Sequence, residues 1–235
     1  MAVTQTPATA RRRRDPESTR AAILEAAKLV LARDGAEGLS VSTVAKMAGV
    51  NRGTAYQHFK EKDALVRATL DLVSLQLLES VFTDGNPKSD VVDDIFQPDL
   101  VHAEKVLIRM TEFNMKLAEF AIDNPEIGRI WLFDVLSRDD PKDDPFYKRF
   151  ELALEAFADS SISADGIDVE VQAVQTLTGY FIWPVWVRAH AKSKKARKQM
   201  AIRYVAEVLR SSALGLVRHG NQDALKLALE RIKQK

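Results

Sequence analysis

Residues 40–59 read SVSTVAKMAGVNRGTAYQHF, and they decide the fold. Val41, Val44, Ala45 and Ala48 recur at i, i+3, i+4 and i+7, the spacing of one buried helical face, and Ser40 stands before them as an N-cap. Gly49 ends this short helix, Asn51 caps the next, and a third helix runs to Phe59. Two short helices joined across Ala48-Gly49-Val50-Asn51 make a helix-turn-helix. Glycine gives the turn its backbone freedom, Val50 fills the angle between the helices, and Asn51 satisfies N–H groups of the helix after it. That helix carries Arg52, Thr54, Tyr56, Gln57 and His58, too polar for a core and rich in groups that meet bases and phosphates. A plain surface hairpin explains the geometry but not this clustering.

Working outward, Asp15-Pro16-Glu17 reads as N-cap, proline at the first helical position and an acid in the first turn. The helix it opens puts Ile23, Ala27, Val30 and Leu31 on one face and stops near Gly35. Residues 1–10 have a disordered composition, and Arg11, Arg12, Arg13 and Arg14 follow directly. Downstream, a helix from Glu61 to Val81 leads to a break at Gly85-Asn86-Pro87. Further helices are expected over 88–96, 99–123, 126–137, 144–160, 167–190, 194–219 and 222–234, with Asp123-Asn124-Pro125, Asp139-Asp140-Pro141, Asp165-Gly166 and His219-Gly220 between them. Period-2 alternation and hairpin signals are missing. The reading is all-α: a basic arm (1–14), a three-helix helix-turn-helix domain (15–65) and a larger helical domain (66–235).

The 235 residues contain no cysteine, which excludes disulfides and thiolate chemistry and suits a cytoplasmic setting. The uncharged stretch Val171–Val187 is too short and too polar for a membrane span, and no signal-like segment opens the chain. The net charge of +1 hides an asymmetry: residues 1–65 hold 11 Lys and Arg against 7 Asp and Glu, and the rest hold 23 against 26. The basic end marks the amino terminus as the polyanion-facing part. Uneven surface charge without a role is the plainer alternative.

The run Thr19-Arg20, Ile23-Leu24, Ala26-Ala27, Gly35, Val44-Ala45, Ala48-Gly49-Val50, Gly53-Thr54, Tyr56, His58-Phe59, Lys62 and Leu65 resembles the DNA-binding domain of the TetR (tetracycline-repressor) family. The resemblance covers roughly residues 17–65. It implies that Arg52 reaches base edges, that Gly53 lets the backbone approach DNA, and that Thr54, Tyr56 and His58 touch phosphate and set the docking angle. Lys62 becomes a phosphate clamp at a helix N-terminus, and Ser40 and Ser42 meet the other groove wall. Two departures stand out: Ser42 where some members carry a base-reading arginine, and Ala55 where a larger aliphatic is usual. Arg11, Arg12, Arg13 and Arg14 are expected to contact DNA by entering a minor groove, with a solubilising tail as the alternative.

Enzyme signatures are missing, the four histidines are scattered, and the acidic pairs Asp93-Asp94, Asp139-Asp140 and Asp143-Asp144 read as caps and solvated charge. Neither an enzyme, a metal nor a cofactor is expected. In helix 194–219, Gln199, Arg203, Glu207 and Arg210 form a polar arc of about 80°, while apolar residues cover roughly 220°, far more than one core-facing stripe needs. Packing on two sides follows, with full burial in one monomer core as the alternative. Helix 167–190 is equally short of charge, and the resemblance implies a homodimer formed by these two helices, through Ala201, Val205, Val208, Leu209, Ser212 and Leu216 on the second. The resemblance also implies a small-molecule pocket. Its lining is expected from Met110, Phe113, Asn114, Trp131, Phe150, Gln175, Thr178, Ile182 and Trp183, opened by a kink at Pro184. The leading expectation is a dimeric repressor released from operator DNA by a largely apolar effector. An architectural DNA-binding protein without effector, and an enzyme with an incidental helix-turn-helix, are the alternatives.

Overall fold

The computed structural model describes residues 15–82 and 100–215, together with the isolated helical positions 223, 226, 227, 230 and 231. The arginine arm, the break at 85–87, the helix expected over 88–96 and Leu216 lie outside the described residues, as does most of the helix expected over 222–234. Among the described residues there are nine α-helices, one 3-10 turn and no strand. The chain divides into two compact units, one up to Thr69 and one from Leu70 onward.

The first unit holds α1 (Pro16–Asp34), α2 (Val41–Met47), α3 (Arg52–His58) and the opening residues of α4 (Lys62–Phe82). Asp15 caps α1 by accepting from the Glu17 amide, and Pro16 occupies the first turn, where a missing N–H costs nothing. Gly35, at φ +69°, ends α1 in a conformation that disfavours side-chain-bearing residues. Ile23, Ala27, Val30, Val44 and Ala55 are completely buried, so the three helices close around one small core. Ala55 fits this core as the small residue it is.

The second unit holds the rest of α4, then α5 (Leu100–Asp123), α6 (Pro125–Ser137), a 3-10 turn (Pro141–Asp143), α7 (Pro145–Ala158), α8 (Val169–His190) and α9 (Lys194–Gly215). Here α8 is central: it packs on α5, α6, α7 and α9, and α5 packs in turn on α9. A chain of aromatic contacts crosses the core. Phe82 meets Phe113 at 5.1 Å and Phe146 at 5.9 Å, and Trp131 meets Phe146 at 5.6 Å and Phe181 at 4.9 Å. α8 is one helix from Val169 to His190, with Pro184 buried inside it, so no break at Pro184 divides the element.

The expectation that Asp143-Asp144 supplies caps and solvated charge is corrected in one respect: Asp144 is a cap, but it is not solvated. Its carboxylate is completely buried. It caps α7 through the Tyr147 amide at 2.9 Å, accepts from the Trp131 indole at 3.0 Å and from the Ser74 hydroxyl at 2.5 Å, and lies 3.8 Å from Arg138. Burial works against the Arg138 cation, yet Asp134, at 2.7 Å, together with the charges of Asp144 and Asp71, outweighs it and raises the guanidinium above its ordinary value. A buried carboxylate persists because each lone pair meets a donor or a cation.

Candidate nucleic-acid interface

The turn between α2 and α3 is built as its residue types require. Ala48 donates to the Val44 carbonyl at 2.8 Å, closing α2. Gly49 then takes φ +64°, reversing the chain, and the Val50 amide donates to the Ala45 carbonyl at 2.9 Å. Asn51 Oδ1 accepts from the Gly53 amide at 2.8 Å and so starts α3. Gly53 has a second reason to be glycine: a Cβ there would stand 3.3 Å from Asn51 Oδ1 and crowd the cap.

Only Ala55 of α3 is buried. Asn51, Arg52, Gly53, Tyr56 and Gln57 are exposed, and Thr54, His58 and Lys62 are half-buried. The Arg52 guanidinium lies over the Tyr56 ring, 5.6 Å from its centroid, and the Tyr56 hydroxyl is 3.4 Å from Ser42 Oγ on α2. Ser42 first, and Arg52 second, hold the Tyr56 phenol below its ordinary value. Tyr56 therefore ties the cation of α3 to the start of α2, and Arg52 is steadied before any partner arrives. Ser40 caps α2 through the Thr43 amide at 3.1 Å, and its hydroxyl meets that of Thr43 at 2.8 Å. Thr43 is exposed on the same helix start.

In the second unit the nine residues expected to line one pocket fall into four places. Met110, Phe113 and Asn114 are half-buried on α5, with Phe150 of α7 facing Phe113 at 6.0 Å. Asn114 accepts from the Tyr180 hydroxyl at 2.5 Å. Trp131 is corrected to core: it is 3 % exposed, and its indole N–H belongs to Asp144. Trp183 packs on α9, with its ring stacked 5.1 Å from Tyr204 and its N–H donated to the Met200 carbonyl at 3.2 Å. Gln175, Thr178 and Ile182 are corrected to the outer face of α8, where all three are exposed. That helix turns Ala173, Leu177, Tyr180, Phe181 and Val187 inward, and these three lie on the opposite side.

A correction of the same kind applies to α9. Ala201, Val205 and Leu209 are 1 %, 0 % and 4 % exposed within a single chain, so they face their own domain. The wide apolar arc contained two faces, and the i, i+4, i+8 row is the inner one. Val208 and Ser212 are half-buried beside it. On α8, Val171, Val174, Ile182, Val185 and Trp186 are each 42–52 % exposed along one face.

Comparison with known proteins agrees with this architecture. Residues 23–69 match the family described as bacterial regulatory proteins, tetR family. The regulator TtgR of Pseudomonas putida is 34 % identical over 85 residues, 36 % of this chain and 40 % of that protein. The repressor TetR of Mycobacteroides abscessus is 33 % identical over 76 residues, 32 % of this chain and 40 % of its own. The alignments thus span about two fifths of those relatives. Over the whole fold, the crystal structure of a gamma-butyrolactone receptor (ArpA like protein) matches 94 % of this chain and 99 % of its own, with a TM-score of 0.59 at 18 % identity. Residues 23–69 are thus similar to the amino-terminal domain of the tetR family of bacterial regulatory proteins, and over the remainder the likeness is one of fold. No described helix is long and apolar enough to cross a membrane.

Proposed function

We propose that this protein is a transcriptional repressor that binds operator DNA as a homodimer and releases it when a small, largely apolar effector binds the second unit. The observation that carries the reading is the exposed face of α3, where Arg52, Tyr56 and Gln57 stand out from a helix whose single buried residue is Ala55. A donor-rich helix held out on a capped turn suits a major groove, and arginine bound to guanine is the commonest specific contact there.

Arg52 reads bases, and Ser40, Ser42, Asn51, Gly53, Thr54, Gln57, His58 and Lys62 supply backbone contacts and docking geometry. Two heads reading a near-palindrome require a two-fold partner, and a second copy covers the exposed stripe of α8, with Gln175 and Thr178 as its polar members. The effector meets Met110, Phe113, Asn114 and Phe150, three half-buried side chains beside one buried ring, with the Asn114 amide as polar anchor. Support for an effector comes also from the fold neighbour, whose name is that of a gamma-butyrolactone receptor. α4 begins in the first unit and continues through the second, so it is the element through which the effector acts.

A ligand screen scored by release of labelled operator tests the effector. An active compound should lose potency in Asn114→Leu, with operator binding by the unliganded protein unchanged. A broad screen that never releases DNA would leave an architectural DNA-binding protein in place of the repressor.

A further inference from the structure

The segment joining α8 to α9 carries a charge pattern that the helix-turn-helix does not explain. Residues 188–203 hold seven Lys and Arg and no Asp or Glu. Without them, the rest of residues 66–235 hold 16 Lys and Arg against 26 Asp and Glu, so the cations of this acidic part are concentrated at one turn. We propose that this turn is a second DNA-contacting surface, gripping the sugar-phosphate backbone without reading its sequence. The proposal rests on the DNA-binding function argued above and adds a contact on the other unit.

The local structure holds the charges outward. Ala191, 5 % exposed, anchors the turn, and Ser193 Oγ caps α9 through the Ala196 amide at 3.1 Å. Arg188, Lys192, Lys194 and Lys195 are all exposed. Arg197 leans on Asp123 at 3.5 Å, but among the described residues Lys192, Lys194 and Lys195 have no carboxylate within ion-pair distance. Lys192 instead donates to the Arg188 carbonyl at 3.0 Å, an arrangement that leaves its charge uncompensated. The 22-residue α9 adds the positive end of its dipole at the same place.

The chemistry selects the occupant. A groove of about 590 Å³ runs along the turn past His190, Ser193, Lys195, Gln199 and Arg203, but it is open, and none of those side chains is buried. A small-ligand site needs convergent, enclosed polar groups, and this surface has none. A second copy of the chain would bring the same sign of charge to the same place. Exposed lysines on a solvent-facing turn are what a polyanion recognises, with affinity arising from counterion release.

The test uses the full-length protein, wild type and Lys192→Gln/Lys194→Gln/Lys195→Gln, titrated with salt against selected-operator and random-sequence duplexes. The triple variant should lower the slope of log K against log salt by about two to three on both duplexes, because each phosphate contact contributes about 0.9. The ratio of operator to random binding should be unchanged, whereas Arg52→Ala should lower that ratio. An unchanged slope on both duplexes overturns the proposal. So does a variant that keeps its DNA slope but no longer sediments with phosphatidylglycerol vesicles that carry down the wild type, which would make the turn a membrane contact. If the wild type prefers no sequence at all, the repressor reading fails, and the slope on random duplex still judges the turn.

Discussion

Ser74 on α4 and Asp144 at the start of α7 are 70 residues apart in sequence, and the serine hydroxyl donates to the buried carboxylate at 2.5 Å. One carboxylate thereby fastens α4, α6 and α7 together. Asp144→Ala should destabilise the protein by about 3–5 kcal/mol, since the Trp131 and Tyr147 N–H groups lose their acceptor and Arg138 is left with Asp134. Ser74→Ala should cost about 1–3 kcal/mol. Urea unfolding checks both, and equal, negligible losses would show the contact to be incidental.

A methyl group at Gly179 would collide with the Tyr204 hydroxyl, whose ring is pinned between Tyr180 at 5.0 Å and Trp183 at 5.1 Å. Gly179→Ala should therefore destabilise by about 1–3 kcal/mol despite alanine's better helix propensity. Adding Tyr204→Phe removes the obstructing oxygen and should restore most of the loss in thermal melts. A double variant no better than Gly179→Ala alone would contradict this packing.

Burial pushes the Tyr204 phenol up to about 12. An unfolded tyrosine titrates near pH ~10, so the folded state keeps a proton that the unfolded state loses. This contribution is complete below pH ~10 and is lost as pH rises through about 12. The midpoint of denaturant unfolding should fall between about pH 9 and about pH 11, and fall less in Tyr204→Phe. Equal falls in the two proteins would place Tyr204 in solvent.

Two glutamate substitutions separate the faces of the carboxy-terminal helices. Trp186→Glu alters an exposed position on α8 and should give folded monomers by light scattering. Val205→Glu places a charge at a completely buried position on α9 and should give unfolded or insoluble protein. A folded dimer of Trp186→Glu would move the dimer surface elsewhere.

The helix-turn-helix was legible because its determinants are local: Ser40, Gly49 and Asn51 each act within three residues of themselves. Helix spans were legible from caps and prolines, with shifts such as α6 starting at Pro125 rather than 126. Faces were not. Whether Val205 looks inward, or Gln175 outward, depends on which neighbours α8 and α9 meet, and a broad apolar arc carries no mark for that. The buried state of Asp144 was equally hidden, since its partners Ser74 and Trp131 come from two other helices.

The central claim is that α3 reads duplex sequence through Arg52, and selection from a random duplex library tests it most directly. The wild type should enrich a near-palindrome with half-sites one or more helical turns apart. Arg52→Ala should weaken binding to that site by about 1–3 kcal/mol and lose preference at one base pair in each half. A library that emerges from selection with no enriched motif, or an Arg52→Ala protein that enriches the wild-type motif unchanged, would contradict it.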